Sequence, residues 1–342
     1  MKEGRRGALE SVAIVGAGAW GTALAAILGE RYNRASLWVF ETDLAAEMER
    51  TRENAAYLPG VRISPAVHPT SSLEAALSGQ RLVVFVVPSH VFRGVLMQAR
   101  PHLDPSASVV SATKGIEVQS LCTMSRIMRE VLPPAQHARL AVLSGPGFAR
   151  EVVIGRPTAI VAAAEDPEVA RTVQRAISGN ALRVYAGTDP LGVELGGAVK
   201  NVIAIAAGVV DGLQLGPNAR AALITRGLAE ITRLGVAMGA QAATFAGLAG
   251  MGDLILTCTD DLSRNRRVGL GLAGGTRLED ILAKLGAVAE GVNTCRSAVA
   301  LAERHRVEMP ICRAVHRVLF EGQNPREAVV ELMTRELRFE GD

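Results

Sequence analysis

Lys200 is the residue whose surroundings point most clearly to chemistry. It stands in the stretch 195–204, whose other members are mostly apolar or small. Desolvation in such a segment favours the neutral amine that general acid/base catalysis can use. Gly196, Gly197 and Ala204 lie one turn away on the same side of a helix, where small residues allow a sheet or a ligand to approach closely. The segment alone leaves a second interpretation open, in which the side chain snorkels and its amine reaches water.

A second chemical set is the polar run that begins at Ser263. A hydroxyl, a guanidinium and an amide follow one another at Ser263, Arg264 and Asn265, and together they can satisfy several oxygens of one phosphate. The run continues with Arg266-Arg267 and is preceded by Gly250-Met251-Gly252-Asp253. Charge runs are usually solvated faces, so the alternative to a phosphate site is an exposed basic loop.

Three further candidates follow apolar segments that are typical of β-strands. Ser89 comes after the run 81–87, Lys114 after the run 108–112, and the loop Gly145-Pro146-Gly147 after the run 140–143. Ligands of an open α/β sheet lie outside the carboxyl ends of its strands, so these positions are predicted to be near a ligand. A single cation at a strand end, such as Lys114, can hold an anionic substrate, and its alternative is a solvated loop lysine.

The segment 11–21 indicates which ligand that sheet binds. A short apolar run breaks at Gly16, Gly18 and Gly21 and continues as a helical pattern. In a dinucleotide-binding βαβ unit the first glycine permits the turn, the second lets backbone approach a pyrophosphate, and the third lets the helix lie close to the sheet. Glycine-rich turns also occur without a ligand. A second strand at 35–40, which is followed directly by Glu41, completes the expected unit.

The pattern of apolar residues predicts that the candidate residues lie on an α/β sheet followed by helices. Apolar runs at 11–15, 35–40, 81–87, 108–112, 140–143, 158–164 and 182–185 predict a doubly wound parallel sheet of about seven or eight strands. Ser71-Ser72-Leu73-Glu74 predicts a capping box at the start of a short helix. From Asp189 onward the patterns are helical, at 193–210, 218–238, 279–285, 293–303, 311–319 and 325–334. The domain boundary is therefore predicted near residues 187–190.

The composition fits a globular protein with two domains. The 342 residues are 49% hydrophobic, and a formal charge of +3 is too balanced to indicate a nucleic-acid or membrane-surface partner. Apolar runs are cut before the roughly 20 residues of a membrane span, and residues 1–10 lack a signal-peptide core, so a cytoplasmic protein without stable membrane insertion is expected. The four cysteines and six histidines show no paired spacing, so no metal site is predicted.

Seven motifs occur in order along the chain. They are Gly16-Ala17-Gly18-Ala19-Trp20-Gly21, Asn54 with Tyr57-Leu58-Pro59, Val87-Pro88-Ser89, Ala112-Thr113-Lys114-Gly115, Ser144-Gly145-Pro146, Gly197-Ala198-Val199-Lys200-Asn201 and Ser263-Arg264-Asn265-Arg266. The set resembles the bacterial NAD(P)-dependent glycerol-3-phosphate dehydrogenases over nearly the whole chain. The resemblance implies an α/β N-terminal Rossmann-type domain at 1–188, which binds the dinucleotide, and an all-α substrate-binding domain at 189–342.

The resemblance also implies roles for individual residues. Catalysis falls on Lys200, as proton donor or acceptor, with Lys114 and Asp253. Substrate contacts fall on Lys114, Gly145, Gly147, Lys200, Asp253, Ser263, Arg264 and Asn265. Cofactor contacts fall on Ala19, Trp20, Lys114, Ala149, Arg264, Val288 and Glu290. The glycine turn and the end of the second strand add Gly16, Gly18, Gly21, Phe40 and Glu41 to the predicted cofactor contacts.

The implied reaction is reversible hydride transfer between NAD(P)H and a three-carbon phosphate. It interconverts dihydroxyacetone phosphate and sn-glycerol 3-phosphate, which supplies phospholipid synthesis, and the family implies a homodimer. Two alternatives remain. One is a 3-hydroxyacid or ketopantoate-type reductase, which would recognise a carboxylate instead of a phosphate. The other is a dinucleotide-binding protein without turnover, which the presence of Lys200, Lys114 and Arg264 together disfavours.

Two positions depart from the family pattern. Gly147 stands where relatives usually carry Ser or Thr, so only backbone can contact the substrate there. Phe40 stands where many relatives carry His or Arg, next to Glu41. An acid at this distance from the glycines accepts hydrogen bonds from a free ribose and repels a 2′-phosphate, so NADH is expected to serve at least as well as NADPH. The opposing possibility is that Arg52 or Arg62 supplies the missing positive charge.

Overall fold

The structure, a computed structural model, describes residues 11–286, 288–337 and 339–340. These residues form two compact units. The sheet unit contains residues 11–114 and 122–194, and the helical unit contains residues 115–121 together with the described residues from 195 onward. The N-terminal residues 1–10, where no signal-peptide core is expected, lie outside the described part of the chain.

The sheet unit is built on eight strands, which confirms the predicted strand number. They are β1 (Ser11–Val15), β2 (Arg34–Trp38), β3 (Val67–Thr70), β4 (Leu82–Phe85), β5 (Ser108–Ser111), β6 (Leu140–Ser144), β7 (Thr158–Ala163) and β8 (Leu182–Gly187). Their order across the sheet is β3-β2-β1-β4-β5-β6-β7-β8. The chain reverses its crossover direction between β3 and β4, so β1 and β4 meet where a doubly wound sheet binds its ligand.

The sheet differs from the prediction in two respects. It is mostly, not wholly, parallel, because β7 runs antiparallel to β6 while β8 runs parallel to β7. A strand that is apolar on both faces has the same pattern in either direction, so its sequence does not reveal this reversal. The strand β3 was not expected, since it has four residues and contains Pro69. Proline is tolerated there because β3 is an edge strand.

Helices cover both faces of the sheet. They are α1 (Ala19–Gly29), α2 (Thr42–Thr51), α3 (Leu73–Leu77), α4 (Ser89–Ala99), α5 (Met124–Val131), α6 (Ala149–Val153) and α7 (Pro167–Ile177). Alternate residues of β1 enter different cores, with Val12 and Ile14 on one face and Ala13 and Val15 on the other. The helix α3 begins as predicted, but its capping side chain is Ser72, whose hydroxyl accepts the Ala75 N–H, so the expected box from Ser71 is wrong by one residue.

The helical unit confirms the all-α prediction for the described residues. Its helices are α8 (Pro190–Gly212, which begins in the sheet unit), α9 (Gly216–Ala237), α10 (Ala242–Phe245), α11 (Asp253–Thr259), α12 (Arg264–Ala273), α13 (Leu278–Leu285), α14 (Glu290–His305), α15 (Pro310–Phe320) and α16 (Pro325–Met333), with one π-helical turn at Leu248–Gly252. Sequence patterns missed the elements between residues 242 and 273. These helices have only four to ten residues each, so they are too short to show a sustained apolar period.

Two stretches are long and apolar enough, by length and composition, to cross a membrane. They are Pro190–Gly212 and Ala242–Thr259. The apolar window of the first is completely buried within the protein, which is the behaviour of a core helix. The expectation that every apolar run ends before the length of a membrane span is therefore wrong for these two stretches. Their glycines and single polar residues still leave a mean hydropathy of 1.6 and 1.3.

Glu194, in the first turns of α8, is a buried carboxyl group that joins α8 to α5. Its carboxylate accepts the Ser125 backbone N–H at 2.7 Å and also the Ser125 hydroxyl. These bonds satisfy the start of α5, whose own N-cap side chain, Thr123, makes no capping bond. Burial outweighs the bonds from Ser125 and raises the pKa of Glu194 to about 7.

The raised pKa of Glu194 predicts a pH dependence of stability. Between the usual glutamate pKa of 4.5 and about 7, the folded state keeps a proton that the unfolded state releases, so the free energy of unfolding decreases as pH rises. The decrease amounts to at most about 3 kcal/mol. Glu194→Gln should flatten this slope in urea unfolding measured at several pH values. Glu74→Gln, which changes an exposed glutamate of α3, is the control and should retain the wild-type slope.

Candidate functional site

The glycine turn after β1 has the backbone geometry that a bound pyrophosphate requires. Gly16 has a φ of +115°, and a Cβ there would lie 2.9 Å from the carbonyl oxygen of Val86. A Cβ on Gly21 would lie 1.9 Å from the Gly16 carbonyl oxygen, so α1 can approach the turn only with glycine at this position. A Cβ on Gly18, the N-cap of α1, would meet no protein atom within 4 Å. Open space in front of the first helical N–H groups suits an anionic group.

Several predicted contact residues surround this turn. Ala19 and Trp20 begin α1, and Ala149 begins α6, which packs against α1. The Trp20 ring also lies beside Gly147, where an added Cβ would be 3.4 Å from the ring. That distance is an ordinary van der Waals contact, so the space at Gly147 accepts a small side chain, although this sequence supplies none.

Lys114 follows β5 and is brought to the end of β6. Its amine donates a hydrogen bond to the Gly145 carbonyl oxygen at 3.1 Å. The preceding Thr113 hydroxyl donates to the Val87 carbonyl oxygen at 2.7 Å, which ties the same turn to the end of β4. The structure thus brings together the carboxyl ends of three neighbouring strands, as the parallel topology predicts.

The end of β2 presents an aromatic ring and an acid. Phe40 is 76% exposed and meets the Trp38 ring edge-on, with the ring centroids 6.1 Å apart. The carboxylate of Glu41 accepts a hydrogen bond from the Tyr57 hydroxyl at 3.0 Å. This hydrogen bond is the main reason that the pKa of Tyr57 is raised above its usual value.

In the helical unit, Lys200 forms a buried ion pair. Lys200 is 5% exposed, and its Nζ lies 2.8 Å from Oδ1 of Asp253 and donates to the Thr257 hydroxyl at 2.5 Å. The Thr257 hydroxyl in turn donates to the Asp253 backbone carbonyl at 2.6 Å. The snorkelling interpretation is therefore wrong, because the amine is directed at buried polar groups.

The partner of Lys200 also affects which form of the amine, neutral or charged, the surroundings favour. Burial alone would favour the neutral amine, but Asp253 provides the counter-charge that stabilises a buried ammonium. The cluster can therefore hold a proton in position and deliver it to a neighbouring oxygen. Sequence reasoning missed Thr257, because the helix that places it one turn after Asp253 was itself not predicted.

The close approach of two backbones positions this ion pair. A Cβ on Gly196 would lie 2.7 Å from the carbonyl oxygen of Ala249, which belongs to the π-helical turn that leads into Asp253. Glycine at this position lets α8 contact the turn directly. Lys200, one helical turn after Gly196, then meets the first residue of α11.

The basic run divides into residues with different tasks. Ser263 is the N-cap of α12, and its hydroxyl accepts the Arg266 N–H. Arg266 is buried and paired, with two nitrogens on Asp211 at 2.8 and 2.7 Å and a third on Asp261 at 2.5 Å. Arg264, in contrast, reaches solvent, although the protein around it desolvates the guanidinium enough to lower its pKa, an effect that the charge of Glu290 opposes. The simple alternative of a solvated basic face is therefore wrong for Arg266.

An amide pair links three helices next to Lys200. The Asn265 side chain donates to the Asn201 side-chain oxygen at 2.9 Å and accepts the Gly291 N–H at 3.0 Å. Asn201 directly follows Lys200 on α8, and Gly291 directly follows Glu290 at the start of α14. Residues from α8, α12 and α14 are thereby held together, including Glu290, while Val288 lies 37% exposed just before α14.

The predicted site residues therefore fall into two groups. The sheet unit brings together Gly16, Gly18, Ala19, Trp20, Gly21, Phe40, Glu41, Lys114, Gly145, Gly147 and Ala149 around the carboxyl ends of its strands. The helical unit contains Lys200, Asp253, Ser263, Arg264, Asn265, Val288 and Glu290, of which Lys200 pairs with Asp253 and Arg264 interacts with Glu290.

A large apolar cavity of the helical unit is separate from these groups. Its volume is about 1470 Å³, and residues of α8, α9, α15 and α16 line it, among them Ile205, Leu223, Ile311 and Val329. No predicted site residue contributes to its lining. Its size therefore does not identify it as the place of the chemistry suggested by Lys200.

Comparison with known proteins identifies a family. Profiles for the NAD-dependent glycerol-3-phosphate dehydrogenase N-terminus and C-terminus match residues 11–170 and 189–330. Glycerol-3-phosphate dehydrogenase (NAD(P)+) from Geobacter sulfurreducens is 55% identical over 331 residues, which cover 97% of this chain and 99% of the relative.

Solved structures agree with this assignment. A crystal structure of glycerol-3-phosphate dehydrogenase from Coxiella burnetii is 40% identical, with a TM-score of 0.89, and the alignment covers 96% of this chain and 99% of that one. A PanE/ApbA family ketopantoate reductase from Ralstonia eutropha is 16% identical, with a TM-score of 0.59 over 93% of this chain and 99% of that one. The latter similarity concerns the fold alone.

The contact at Gly196 generates a stability prediction. Gly196→Ala places a methyl group 2.7 Å from the Ala249 carbonyl oxygen, and overpacking of this kind costs about 1–3 kcal/mol. The melting temperature should fall by roughly 2–10 °C in thermal unfolding followed by circular dichroism. Gly94→Ala in α4 is the control, because a Cβ there meets no atom within 4 Å and alanine favours helices. Equal melting temperatures for the two variants would contradict the packing argument.

Proposed function

Because the chain belongs to the NAD-dependent glycerol-3-phosphate dehydrogenase family, we propose that it interconverts dihydroxyacetone phosphate and sn-glycerol 3-phosphate with NAD(P)H. The observation that carries the proposal is the buried cluster of Lys200, Asp253 and Thr257, which holds a proton donor in a fixed orientation. The nicotinamide cofactor supplies the hydride chemistry when it is bound. The protein supplies binding, alignment and proton transfer.

The cofactor is proposed to bind mainly through the sheet unit. The turn at Gly16, Gly18 and Gly21 and the first N–H groups of α1, at Ala19 and Trp20, hold the pyrophosphate. The remaining proposed contacts are Phe40, Glu41, Lys114, Ala149, Arg264, Val288 and Glu290. The fit is supported by the empty volume in front of Gly18, which no side chain of the described residues fills.

Lys200 is proposed to be the general acid and base. During reduction it donates a proton to the C2 oxygen of the substrate as negative charge develops there, and during oxidation it takes that proton back. Asp253 provides the counter-charge for the ammonium form, and Thr257 fixes the direction of the Nζ atom. Lys114 adds positive potential at the ends of β5 and β6.

The substrate phosphate is proposed to bind at the start of α12. Arg264 offers an exposed guanidinium fork, and the helix N-terminus at Ser263 favours an anion. Asn265 uses one amide hydrogen on Asn201, so its second hydrogen remains for the substrate. Gly145 and Gly147 offer backbone groups, since neither has a side chain.

The proposal also covers the roles of the two domains, the location of the protein, the use of its product and its oligomeric state. Residues 1–188 serve dinucleotide binding and 189–342 serve substrate binding. The protein is cytoplasmic, and its product supplies phospholipid synthesis. It forms a homodimer, for which the exposed apolar side chains Val330, Met333, Leu337 and Phe339, 60–96% exposed, offer a surface.

Two other functions are tested by the same assay. A ketopantoate-type reductase would use a carboxylate substrate, and a dinucleotide sensor would turn over neither compound. Absorbance at 340 nm, measured with dihydroxyacetone phosphate or with a 2-oxo acid and either reduced cofactor, separates the three functions. Oxidation of NADH or NADPH with dihydroxyacetone phosphate alone is the expected result.

Replacement of Lys200 tests the acid/base assignment. Lys200→Met should lower kcat by about 10²–10⁴-fold, because the proton donor is lost, while NADH binding measured by fluorescence titration stays within about threefold. Lys284→Met, which changes an exposed lysine of α13, should leave kcat unchanged. A Lys200→Met enzyme that binds NADH and keeps more than about half of the wild-type kcat would remove Lys200 from the mechanism. The double variant Lys200→Met/Asp253→Asn leaves no unpaired buried carboxylate, so it should bind NADH as the wild type does and still lack activity, which separates loss of the proton donor from misfolding.

Replacement of Arg264 tests phosphate binding. Loss of a charge-assisted contact costs about 1.5–3 kcal/mol, so Arg264→Ala should raise the KM for dihydroxyacetone phosphate by roughly 10–100-fold. Arg267→Ala removes an exposed arginine from the same turn of α12 and should change KM less than about twofold. Similar KM values for both variants would mean that the run is only a basic surface. Cofactor affinity is measured in parallel, because Arg264 is also a proposed cofactor contact.

A further inference from the structure

The loop that follows α2 is bonded to the glycine turn. Asn54 is completely buried, and its side-chain nitrogen donates to the Ala17 carbonyl oxygen and the Thr22 hydroxyl, both at 2.8 Å. Its side-chain oxygen accepts the Tyr57 N–H at 3.1 Å. Tyr57 is therefore carried on a turn whose position is set by the same backbone that forms the proposed pyrophosphate site.

Tyr57 determines where the carboxylate of Glu41 lies. Glu41 is the N-cap residue of α2, yet its side chain makes no capping bond and instead accepts the Tyr57 hydroxyl at 3.0 Å. Within the described part of the chain, the side-chain partner of this exposed carboxylate is Tyr57. A carboxylate has about four acceptor sites, so one bond from Tyr57 leaves capacity for a ligand.

Glu41 also lies close to the glycine turn along the sheet. The Gly16 N–H donates to the Trp38 carbonyl oxygen at 3.1 Å, and Glu41 follows Trp38 by three residues. In a dinucleotide-binding unit, an acid at the end of this strand accepts hydrogen bonds from the free hydroxyls of the adenosine ribose. A 2′-phosphate in the same place would bring about 1.5–2 negative charges next to the carboxylate.

We propose that Glu41, oriented by Tyr57, makes the enzyme select NADH against NADPH. This inference rests on the proposed function and names the form of the cofactor that the site prefers. Glu41 is the specificity-determining residue, and Tyr57 is a positioning residue that acts through it. Phe40, whose ring is 76% exposed, occupies the place where a cation for the 2′-phosphate would stand and offers an apolar face to the adenine instead.

The two arginines that could supply a cation differ in their availability. The Arg52 guanidinium donates to the Glu49 carboxylate at 3.0 Å and to the Val67 carbonyl oxygen at 2.6 Å, and also to the Ser64 carbonyl oxygen. Three acceptors hold it on the loop between α2 and β3, so it does not serve the ribose. Arg62 is exposed, and its backbone forms an isolated antiparallel β-bridge with Glu53. A separate variant must therefore test whether the Arg62 side chain supplies the cation.

The experiment measures kcat/KM for NADH and NADPH at one ionic strength, together with the dissociation constant of each cofactor by fluorescence titration. The wild type should favour NADH by at least about tenfold, and Glu41→Gln should reduce this ratio by about tenfold by improving NADPH. Tyr57→Phe keeps the ring but loses the hydroxyl, so it should reduce the ratio by about two- to fivefold with kcat on saturating NADH unchanged. Glu47→Gln, the same charge change at an exposed position of α2, should leave the ratio unaltered.

Three results would overturn the inference. A wild type that favours NADPH would do so, as would a Glu41→Gln variant with the wild-type ratio. So would Arg62→Met, if it weakened NADPH binding at least tenfold and left NADH binding unchanged. The titrations do not need turnover, so they answer the question of selectivity even if dihydroxyacetone phosphate is not reduced. Failure of the proposed function would appear as selective cofactor binding without oxidation of either cofactor.

Discussion

The helical unit depends on neutralising one charge that its own packing buries. Lys200 points into a region where water does not reach it, and a lone ammonium there would be destabilised by several kcal/mol. Asp253 provides the opposite charge, and Thr257 accepts a second hydrogen bond from the amine. This geometry exists only because Gly196 lets α8 touch the turn that precedes Asp253. The contacts that make this burial tolerable in the fold are also the ones on which the proposed proton transfer relies.

The sheet unit depends on a different constraint, which is the space around a backbone turn. At Gly16 and Gly21 a side chain would collide with carbonyl oxygens, while at Gly18 the space is open. The first two positions let α1 lie on the sheet, and the third leaves the helix N-terminus accessible to an anion. The side chain of Asn54 then attaches the loop after α2 to the same turn by donating a hydrogen bond to the Ala17 carbonyl oxygen. The position of the loop that carries Tyr57 therefore follows from the position of the glycine turn.

Charged residues that look equivalent in sequence are separated by burial. Arg264 and Arg266 stand two positions apart on one helix, yet Arg264 is exposed and Arg266 is held by Asp211 and Asp261. Residues two apart on a helix point to different sides, so one arginine can serve structure while the other is left for a ligand. A count of positive charges in the run predicts neither role.

The sequence by itself determined most of the strand runs, the glycine turn and the change to helices after residue 189, and it singled out Lys200 and Lys114 as candidates. These follow from local periodicity and from the residue types at strand ends, and both signals come from residues that are close together in the sequence. Only the tertiary structure decided that β7 runs antiparallel, that Thr257 joins Lys200, and that Tyr57 holds Glu41. Each of these depends on residues that are distant in the chain or on strand direction, and neither the distance nor the direction changes the local pattern of apolar and polar residues.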